Sequence, residues 1–166
     1  MDTHSQITES IFISDWYGSL DINQLTKNNI KYVLCLNYEN KKTEGDTNLY
    51  NMMGIEHKYI MVKDRPYANI IIHFDDIIKF LRNEYKGNIL VHCSAGVSRS
   101  TTAVIAYLCS KIYNKSAYYQ RRILPLVVSH VKKRRVYTNP NHGFMRQLFE
   151  FETQLKKTQP SVAKRF

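Results

Sequence analysis

The fold of this 166-residue chain is decided by one stretch, Asn88-Ile89-Leu90-Val91-His92-Cys93-Ser94-Ala95-Gly96-Val97-Ser98-Arg99-Ser100. The apolar residues Ile89–Val91 predict a strand, and the apolar run after Ser100 predicts a helix over Thr101–Lys111. Between them Cys93 and Arg99 stand in a C-x5-R spacing. A loop of this length at the start of a helix turns several backbone N–H groups inward, which makes a cradle for an oxyanion.

The residue types in this loop suit phosphate chemistry. Arg99 can grip two phosphate oxygens at once through its guanidinium fork. Cys93 lies in the field of the cradle and of the helix N-terminus, which favours the thiolate, the nucleophilic form of cysteine. The alternative is a buried strand, turn and helix in which Cys93 only packs, as free cysteines commonly do. We favour the functional interpretation because one nine-residue motif fills several separate roles.

The residues from His92 to Ser100 resemble the H-C-x-x-G-x-x-R-S/T signature of cysteine-dependent protein phosphatases. Their Ala-Gly-x-Ser-Arg-Ser sequence is most similar to that of the dual-specificity branch. Residues 60–64 and 74–81 are similar to the acid loop and following helix of that family. Residues 138–152 are similar to its C-terminal P-N-x-G-F-x-x-Q-L-x-x-F-E stretch. The longer segment between Lys115 and Asn139 resembles the poxviral members. The resemblance implies a protein-tyrosine-phosphatase-like α/β fold of the dual-specificity type.

Patterning along the rest of the chain predicts the same fold class. Three further segments have the composition of strands: Ile11–Trp16, Lys31–Asn37 and Ile55–Val62. Four have the spacing of helices: Leu20–Asn29, Ile70–Tyr85, Ser116–His130 and Gly143–Leu155. Pro125 should end or kink the third of these. Two polar segments predict exposed loops: Tyr38–Asn48 and Lys63–Asn69. Alternating strands and helices predict a mostly parallel central sheet flanked by helices, with ligands bound at the carboxyl ends of the strands.

Length and composition limit the domain organisation and the compartment. We expect a single catalytic domain over residues 1–156 and a basic C-terminal tail over 157–166. The chain has no run of about 18 apolar residues, so no membrane span is expected. Three cysteines, at 35, 93 and 109, are too few and too scattered for a disulfide framework or a zinc site. We therefore expect a reducing intracellular compartment, the cytoplasm, which would be the host cell cytoplasm or the virion if the protein is viral.

The resemblance implies two-step hydrolysis of a phosphate monoester through a cysteinyl-phosphate. Cys93 would attack phosphorus. The charge on the phosphate would be stabilised by the side chain of Arg99 and by the backbone of Ser94, Ala95, Gly96, Val97, Ser98 and Arg99. Asp64 follows a predicted strand and matches the place of the family's general acid, which would later act as base on water. From the residues alone, Asp64 is equally well an exposed loop aspartate.

Three other side chains of the motif have two interpretations each. Ser100 could donate a hydrogen bond to Cys93 as the thiolate leaves phosphorus, or could satisfy an early backbone group of the helix. His92 could orient the loop and favour the thiolate, or could be a satisfied core histidine. Ser98 could support the loop or face solvent. None of these positions resembles a metal ligand, and we expect no metal and no cofactor.

The chain is strongly basic, with 24 Lys and Arg against 14 Asp and Glu and a formal net charge of +10. Such a charge attracts acidic partners, which here would be phosphoprotein substrates, with nucleic acid as the less favoured alternative. The cluster Lys132, Lys133, Arg134 and Arg135 either binds acidic sequence, RNA or a second phosphate, or is a solvated helix end. We favour the solvated helix end.

The leading hypothesis is a dual-specificity protein phosphatase that acts on phosphotyrosine and on phosphoserine or phosphothreonine. An RNA 5′-triphosphatase uses the same cysteine loop, but the RNA-directed members usually carry Asn or another residue at the position of Ser98. A phosphoinositide phosphatase would hold lysines within the loop, and residues 94–98 contain none. A phosphopeptide-binding pseudophosphatase is a different class, against which the presence of Cys93, Arg99 and Asp64 argues. The sequence leaves the physiological substrate and the oligomeric state open.

Overall fold

The computed structural model describes residues 2–38, 43–115 and 121–158 of the chain. Their strands form one five-stranded sheet in the order β1-β2-β5-β3-β4. The strands are β1 (Ser5–Gln6), β2 (Ile11–Ser14), β3 (Ile30–Asn37), β4 (Glu56–Met61) and β5 (Asn88–His92). Strands β2, β5, β3 and β4 are parallel neighbours, and β1 pairs antiparallel with β2 at the edge. The predicted fold class, a mostly parallel sheet flanked by helices, is confirmed.

Among the described residues, seven α-helices accompany this sheet. They are α1 (Trp16–Ser19), α2 (Ile22–Lys27), α3 (Thr43–Met53), α4 (Phe74–Leu81), α5 (Arg99–Lys115), α6 (Leu124–Arg134) and α7 (His142–Thr158). Two short 3-10 segments, Ile71–His73 and Arg82–Tyr85, flank α4. The predicted helix over Ile70–Tyr85 is therefore an α-helix with a tighter turn at each end.

The central strand β5 is buried on both faces, which places its carboxyl end in the core. Ile89 and Val91 belong to the main apolar cluster, formed with α4, α5, α6 and α7. Leu90 belongs to a second cluster, formed with residues of α2 and α3. This division follows from the alternation of side chains along a strand. Because helices cover both faces, the three middle residues of β5, Ile89–Val91, are all apolar, as is usual in parallel sheets.

The prediction of an exposed loop over Tyr38–Asn48 is wrong from Thr43 onward, where α3 begins. Its apolar residues lie toward its C-terminal end, beyond the predicted loop. Tyr50 is buried in the second apolar cluster, and Leu49 and Met53 pack against that cluster. Tertiary packing of one short face therefore stabilises a helix whose first half is polar. Residues 39–42 of the predicted loop lie outside the described residues.

The predicted strand Ile11–Trp16 is wrong over its last two residues. Strand β2 ends at Ser14, and the carboxylate of Asp15 accepts a hydrogen bond from the N–H of Gly18 at 2.7 Å. Asp15 thereby caps α1, which begins at Trp16. The short edge strand β1 was not predicted, because two polar residues carry no strand pattern.

The prediction that Pro125 ends or kinks a helix is also wrong. Pro125 lies in the first turn of α6, where a missing N–H leaves no intrahelical bond unmade. Residues 116–120 of that predicted helix lie outside the described residues. Helix α7 runs to Thr158, past the predicted start of the tail at 157, and residues 159–166 lie outside the described residues.

Candidate active site

The loop from Cys93 to Arg99, which we call the phosphate loop, joins β5 to α5. Its carbonyl groups are bound by donors from neighbouring segments. The N–H of Trp16 donates to the carbonyl of Ser94 at 3.1 Å, and the N–H of Asn139 donates to that of Val97 at 2.9 Å. Across a planar trans peptide the C=O of one residue and the N–H of the next point in opposite directions. A carbonyl bound from outside therefore turns the following N–H toward the inside of the loop.

Gly96 shows this inward orientation directly. Its N–H donates to Sγ of Cys93 at 3.2 Å. Its φ is +63°, and a Cβ there would lie 2.5 Å from the carbonyl oxygen of Ser14 and would overlap the guanidinium of Arg135. Arg135 in turn donates from Nε to the carbonyl of Gly96 at 2.6 Å and from Nη2 to that of Ala95 at 3.5 Å. Only glycine fits at position 96, for reasons of both backbone angle and space.

Cys93 lies at the base of this loop and is only 2% exposed. Its Sγ is 3.2 Å from Oγ of Ser100, a fully buried residue in the first turn of α5. A hydroxyl and a backbone N–H therefore both stand within hydrogen-bond distance of one sulfur. Donors in this arrangement stabilise a thiolate. The structure thus brings Ser100 to the place that one of its two interpretations requires.

The guanidinium of Arg99 is buried and is held by three acceptors. Nη1 donates to Oδ1 of Asn37 at 3.1 Å and to the carbonyl of Val62 at 3.2 Å. Nη2 donates to Oγ of Ser94 at 3.2 Å. Nε is a buried donor that has no partner within residues 2–38, 43–115 and 121–158. An oxyanion in the loop would satisfy it, because buried N–H groups are rarely left unpaired.

Asn37 is a residue of the site that sequence reasoning missed. It ends β3, is 3% exposed, and its Oδ1 accepts hydrogen bonds from Arg99 and from Oγ of Ser94, the latter at 3.1 Å. One signal could have identified it, namely a polar side chain at the carboxyl end of a central parallel strand.

Asp64 lies exposed on the loop after β4, and one hydrogen bond fixes its carboxylate. Nδ2 of Asn141 donates to Oδ1 of Asp64 at 2.8 Å. The Oδ1 of Asn141 accepts the N–H of Phe144 at 2.9 Å and so caps α7. The backbone N–H of Asn141 donates to Oγ of Ser98 at 3.0 Å. Asn141 therefore links Asp64 to the phosphate loop, and the side chain of Ser98 supports the loop.

The start of α7 also holds the rest of the loop that carries Asp64. A Cβ on Gly143 would overlap the backbone of Pro66, so this contact requires glycine. Gln147 donates from Nε2 to the carbonyl of Ala68 at 2.9 Å and accepts the N–H of Ile71 at 3.0 Å. These contacts give a physical reason for the Gly and Gln of the C-terminal motif.

His92 is fully buried beneath the loop. Burial lowers its pKa to about 4, and the nearby backbone of Cys93 opposes this shift only in part. The ring is therefore neutral at physiological pH. Neither ring nitrogen has a hydrogen-bond partner of good geometry among the residues described. The two interpretations of His92, a ring that orients the loop and a satisfied core histidine, stay predictions.

The remaining cysteines and basic residues lie in structural surroundings. Burial raises the pKa of Cys35 and of Cys109 to about 12 each, which disfavours their thiolates at neutral pH. Residues 132–134 are exposed in the last turn of α6, as a solvated helix end requires. Arg135 differs from them, because it contacts the phosphate loop. No group of three or more metal-ligating side chains occurs among the described residues.

An open cleft of about 520 Å³ joins the phosphate loop to Asp64. Ser94 and Arg99 line its inner end. Its rim carries Lys63, whose Nζ lies 4.3 Å above the ring of Tyr38. The geometry therefore combines an anion cradle, a buried thiol and a carboxylate around one opening.

Residues 11–154 match the family model for the dual specificity phosphatase catalytic domain. This chain belongs to that family. It is 34% identical over 164 residues to dual specificity protein phosphatase 22 of Xenopus tropicalis, a match that covers 93% of this chain and 71% of that protein. It is 33% identical over 135 residues to dual specificity protein phosphatase 5 of Rattus norvegicus, which covers 80% of this chain and 32% of that protein.

The crystal structure of DUSP15 is similar throughout the chain. Its TM-score is 0.77 at 26% identity, and the match covers 100% of this chain and 98% of that one. The predicted family and enzyme class, a protein tyrosine/serine/threonine phosphatase, are confirmed. The likeness to poxviral members stays a prediction. None of the helices described is long and apolar enough to cross a membrane.

Proposed function

We propose that this dual-specificity phosphatase hydrolyses phosphorylated protein side chains in two steps, with Cys93 as nucleophile and Asp64 as acid and then base. One observation carries the proposal. The sulfur of Cys93 lies 3.2 Å from an inward N–H of the phosphate loop and 3.2 Å from the hydroxyl of Ser100. A nucleophile in an oxyanion cradle suits attack on a phosphate ester.

In the first step the thiolate of Cys93 attacks phosphorus, so a P–S bond forms and the bond to the leaving oxygen breaks. Asp64 gives its proton to that oxygen, because an alkoxide or a phenoxide is a poor leaving group. The guanidinium of Arg99 and the loop N–H groups stabilise the charge on the equatorial oxygens. Asn37 and Val62 fix the plane of that guanidinium.

In the second step the carboxylate of Asp64 takes a proton from water, and the water oxygen attacks the cysteinyl-phosphate. The P–S bond breaks, inorganic phosphate is released, and Cys93 leaves as a thiolate. The hydroxyl of Ser100 donates a hydrogen bond to that thiolate, which makes it a better leaving group. Asn141 orients Asp64 in both steps through its 2.8 Å hydrogen bond.

The proposed substrates are phosphoproteins. The cleft is open, and Lys63, Asp64, Arg65 and Tyr67 on its rim are exposed, so both phosphotyrosine and the shorter phosphoserine and phosphothreonine can reach the loop. Lys63, Arg65 and the net charge of +10 favour acidic segments around the phosphate. We place this activity in one catalytic domain over residues 1–156 and in the cytoplasm, where a catalytic thiol stays reduced.

The test is phosphate release at pH 6–7 from a phosphotyrosine peptide, a phosphothreonine peptide and a 5′-triphosphorylated RNA. Each is assayed with the wild type and with Cys93→Ser. We expect turnover of both peptides, abolished by the substitution. Turnover of the RNA alone would indicate that the basic surface selects RNA as the substrate. It would overturn the proposal that phosphoproteins are the substrates. Binding of the phosphopeptides without turnover by the wild type would indicate a pseudophosphatase.

A further inference from the structure

We propose that Arg135 is a positioning residue of the phosphate loop, which fixes the carbonyls of Ala95 and Gly96 so that the N–H groups after them face the phosphoryl oxygens. This inference rests on the proposed function, because it assigns a role to a residue behind the site used there.

Arg135 uses all three guanidinium nitrogens. It is the C-cap residue directly after α6, and it is half-buried. Nε donates to the carbonyl of Gly96 at 2.6 Å, Nη2 donates to that of Ala95 at 3.5 Å, and Nη1 donates to Oγ of Ser5 at 3.0 Å. One rigid fork therefore joins two consecutive loop carbonyls to the edge strand β1.

The consequence for the loop follows from peptide geometry. With the carbonyls of Ala95 and Gly96 bound from outside, the N–H groups of Gly96 and Val97 point inward. The contact of the Gly96 N–H with Sγ of Cys93, at 3.2 Å, shows one of them in that direction. Preorganised donors of this kind stabilise charge in a transition state because they need no reorganisation during the reaction.

Packing and charge support the same role. A Cβ on Gly96 would overlap the guanidinium, so Arg135 lies directly against the loop backbone. Burial lowers the pKa of Arg135, and the side chains of Asp15 and Cys93 oppose this shift. Both groups are therefore within electrostatic range of the guanidinium. Arg135 does not line the cleft, so it acts through the loop and not on the substrate.

The neighbouring Arg134 offers a matched control. It is exposed, and its Nη1 lies 3.1 Å from Nδ1 of His130, away from the phosphate loop. Arg134→Met removes the same charge from the same helix end as Arg135→Met. A difference between these two variants therefore reports on the loop contacts and not on net charge.

The experiment compares Arg135→Met, Arg135→Lys and Arg134→Met with the wild type. It measures kcat and KM for p-nitrophenyl phosphate, the dissociation constant of tungstate by calorimetry, and thermal unfolding. Because Arg135→Met removes charge-assisted hydrogen bonds to two loop carbonyls, we expect it to weaken tungstate binding and to lower kcat/KM by roughly 10- to 100-fold. Arg135→Lys should recover part of this loss, because one N–H donor can still reach Gly96. Arg134→Met should change neither by more than about twofold.

Equal effects of Arg135→Met and Arg134→Met would overturn the proposal. So would a loss of activity in Arg135→Met that a smaller folded fraction explains, with tungstate affinity unchanged. If Arg135→Met does not fold, Arg135→Lys decides, because tungstate affinity equal to the wild type contradicts the proposal. A wild type that binds tungstate without turning over p-nitrophenyl phosphate would overturn the proposed function, while the binding comparison would still test Arg135.

Discussion

The phosphate loop and the loop over residues 63–69, which we call the acid loop, border the same cleft but are held there by different means. The phosphate loop joins a buried strand to a buried helix, and Cys93 and Ser100 are almost fully enclosed. The carbonyls of Ser94 to Val97 all accept hydrogen bonds from other segments. In the acid loop, Asp64 is exposed and depends on one hydrogen bond from Asn141.

This difference corresponds to a difference in chemistry. An anion cradle works best when its donors are fixed before the reaction, so it benefits from the core. The exposed position of Asp64 suits the proposed general acid, because such a group exchanges protons with water and with differing leaving groups. The exposed carboxylate of Asp64 should move at little cost in free energy, although the start of α7 holds the rest of the acid loop. The phosphate loop should open only when the core around it opens.

The largest expected effect separates chemistry from binding within the phosphate loop. Cys93→Ser should lower turnover of p-nitrophenyl phosphate by about 10⁴-fold or more, because the nucleophile is lost. Tungstate should still bind within about tenfold of the wild type, since the donors of the cradle remain. Initial rates measure the turnover of p-nitrophenyl phosphate, and calorimetry measures the dissociation constant of tungstate. Cys35→Ser is the control and should keep full turnover, and a large loss of tungstate affinity in Cys93→Ser would contradict a preformed cradle.

The second effect belongs to the acid loop. Asp64→Asn should lower kcat for a phosphotyrosine peptide by roughly 10²- to 10³-fold, because the leaving oxygen receives no proton. The loss should shrink for the phosphate ester of a strongly acidic phenol, whose leaving group needs none. Asp75→Asn, an exposed carboxylate in the first turn of α4, is the control. An equal loss for both leaving groups would exclude Asp64 as the acid.

The third effect tests whether the phosphate loop tolerates any side chain at its turn. Gly96 and Gly54 both have φ near +65°, but a Cβ on Gly54 has nothing within 4 Å. Gly54→Ala should lower the free energy of unfolding by only about 1 kcal/mol. Gly96→Ala should in addition weaken tungstate binding by about 100-fold, because the loop backbone must move away from Ser14 and Arg135. Similar tungstate affinities in the two variants would show that the close packing has no function.

The fourth effect is a pH dependence that comes from beneath the phosphate loop. The ordinary histidine pKa is 6.5, and that of His92 is about 4, so between these values the unfolded chain binds a proton that the folded chain does not. The contribution of His92 to the free energy of unfolding is therefore complete above pH 6.5 and is lost as the pH falls. The loss between pH 7 and pH 5 is about 2 kcal/mol.

Urea unfolding of wild type and His92→Asn at the two pH values measures this effect. The substitution should remove most of the pH dependence that His92 contributes, whatever it does to stability at pH 7. His142→Asn, at an exposed position, should leave the dependence as it is in the wild type. The same pH dependence of the free energy of unfolding in His92→Asn as in the wild type would show that folding does not shift the pKa of His92.

The smallest effect concerns the link between the two loops. Asn141→Asp keeps the cap of α7 but replaces the donor to Asp64 with a carboxylate. We expect kcat to fall by about tenfold with little change in Tm. Asn141→Ala should lower kcat by a similar factor. It should also lower the free energy of unfolding by about 1 kcal/mol, because the cap of α7 is lost. Wild-type turnover in both variants would show that Asp64 needs no partner.

Much of this could be predicted because the signals are local. Short runs of apolar, β-branched and aromatic residues predict the strands, and one continuous motif places Cys93, Ser100 and Arg99 within eight positions of each other. The covalent chain itself keeps these groups close, whatever the rest of the fold does. One error arose where packing overrides local composition, at the polar first half of α3. Another arose at Pro125, because proline is tolerated in the first turn of a helix and the start of α6 was not recognised.

Local sequence patterns encode the strand, the anion-binding loop and the helix, and with them the family and the cysteine that we propose as nucleophile. The contacts that hold that loop and the proposed acid in place exist only in the tertiary structure. Asn37 reaches Arg99 across 62 positions, Arg135 reaches Gly96 across 39, and Asn141 reaches Asp64 across 77. No local periodicity encodes contacts of this range, because they form only when the sheet and helices pack and bring distant segments to one edge.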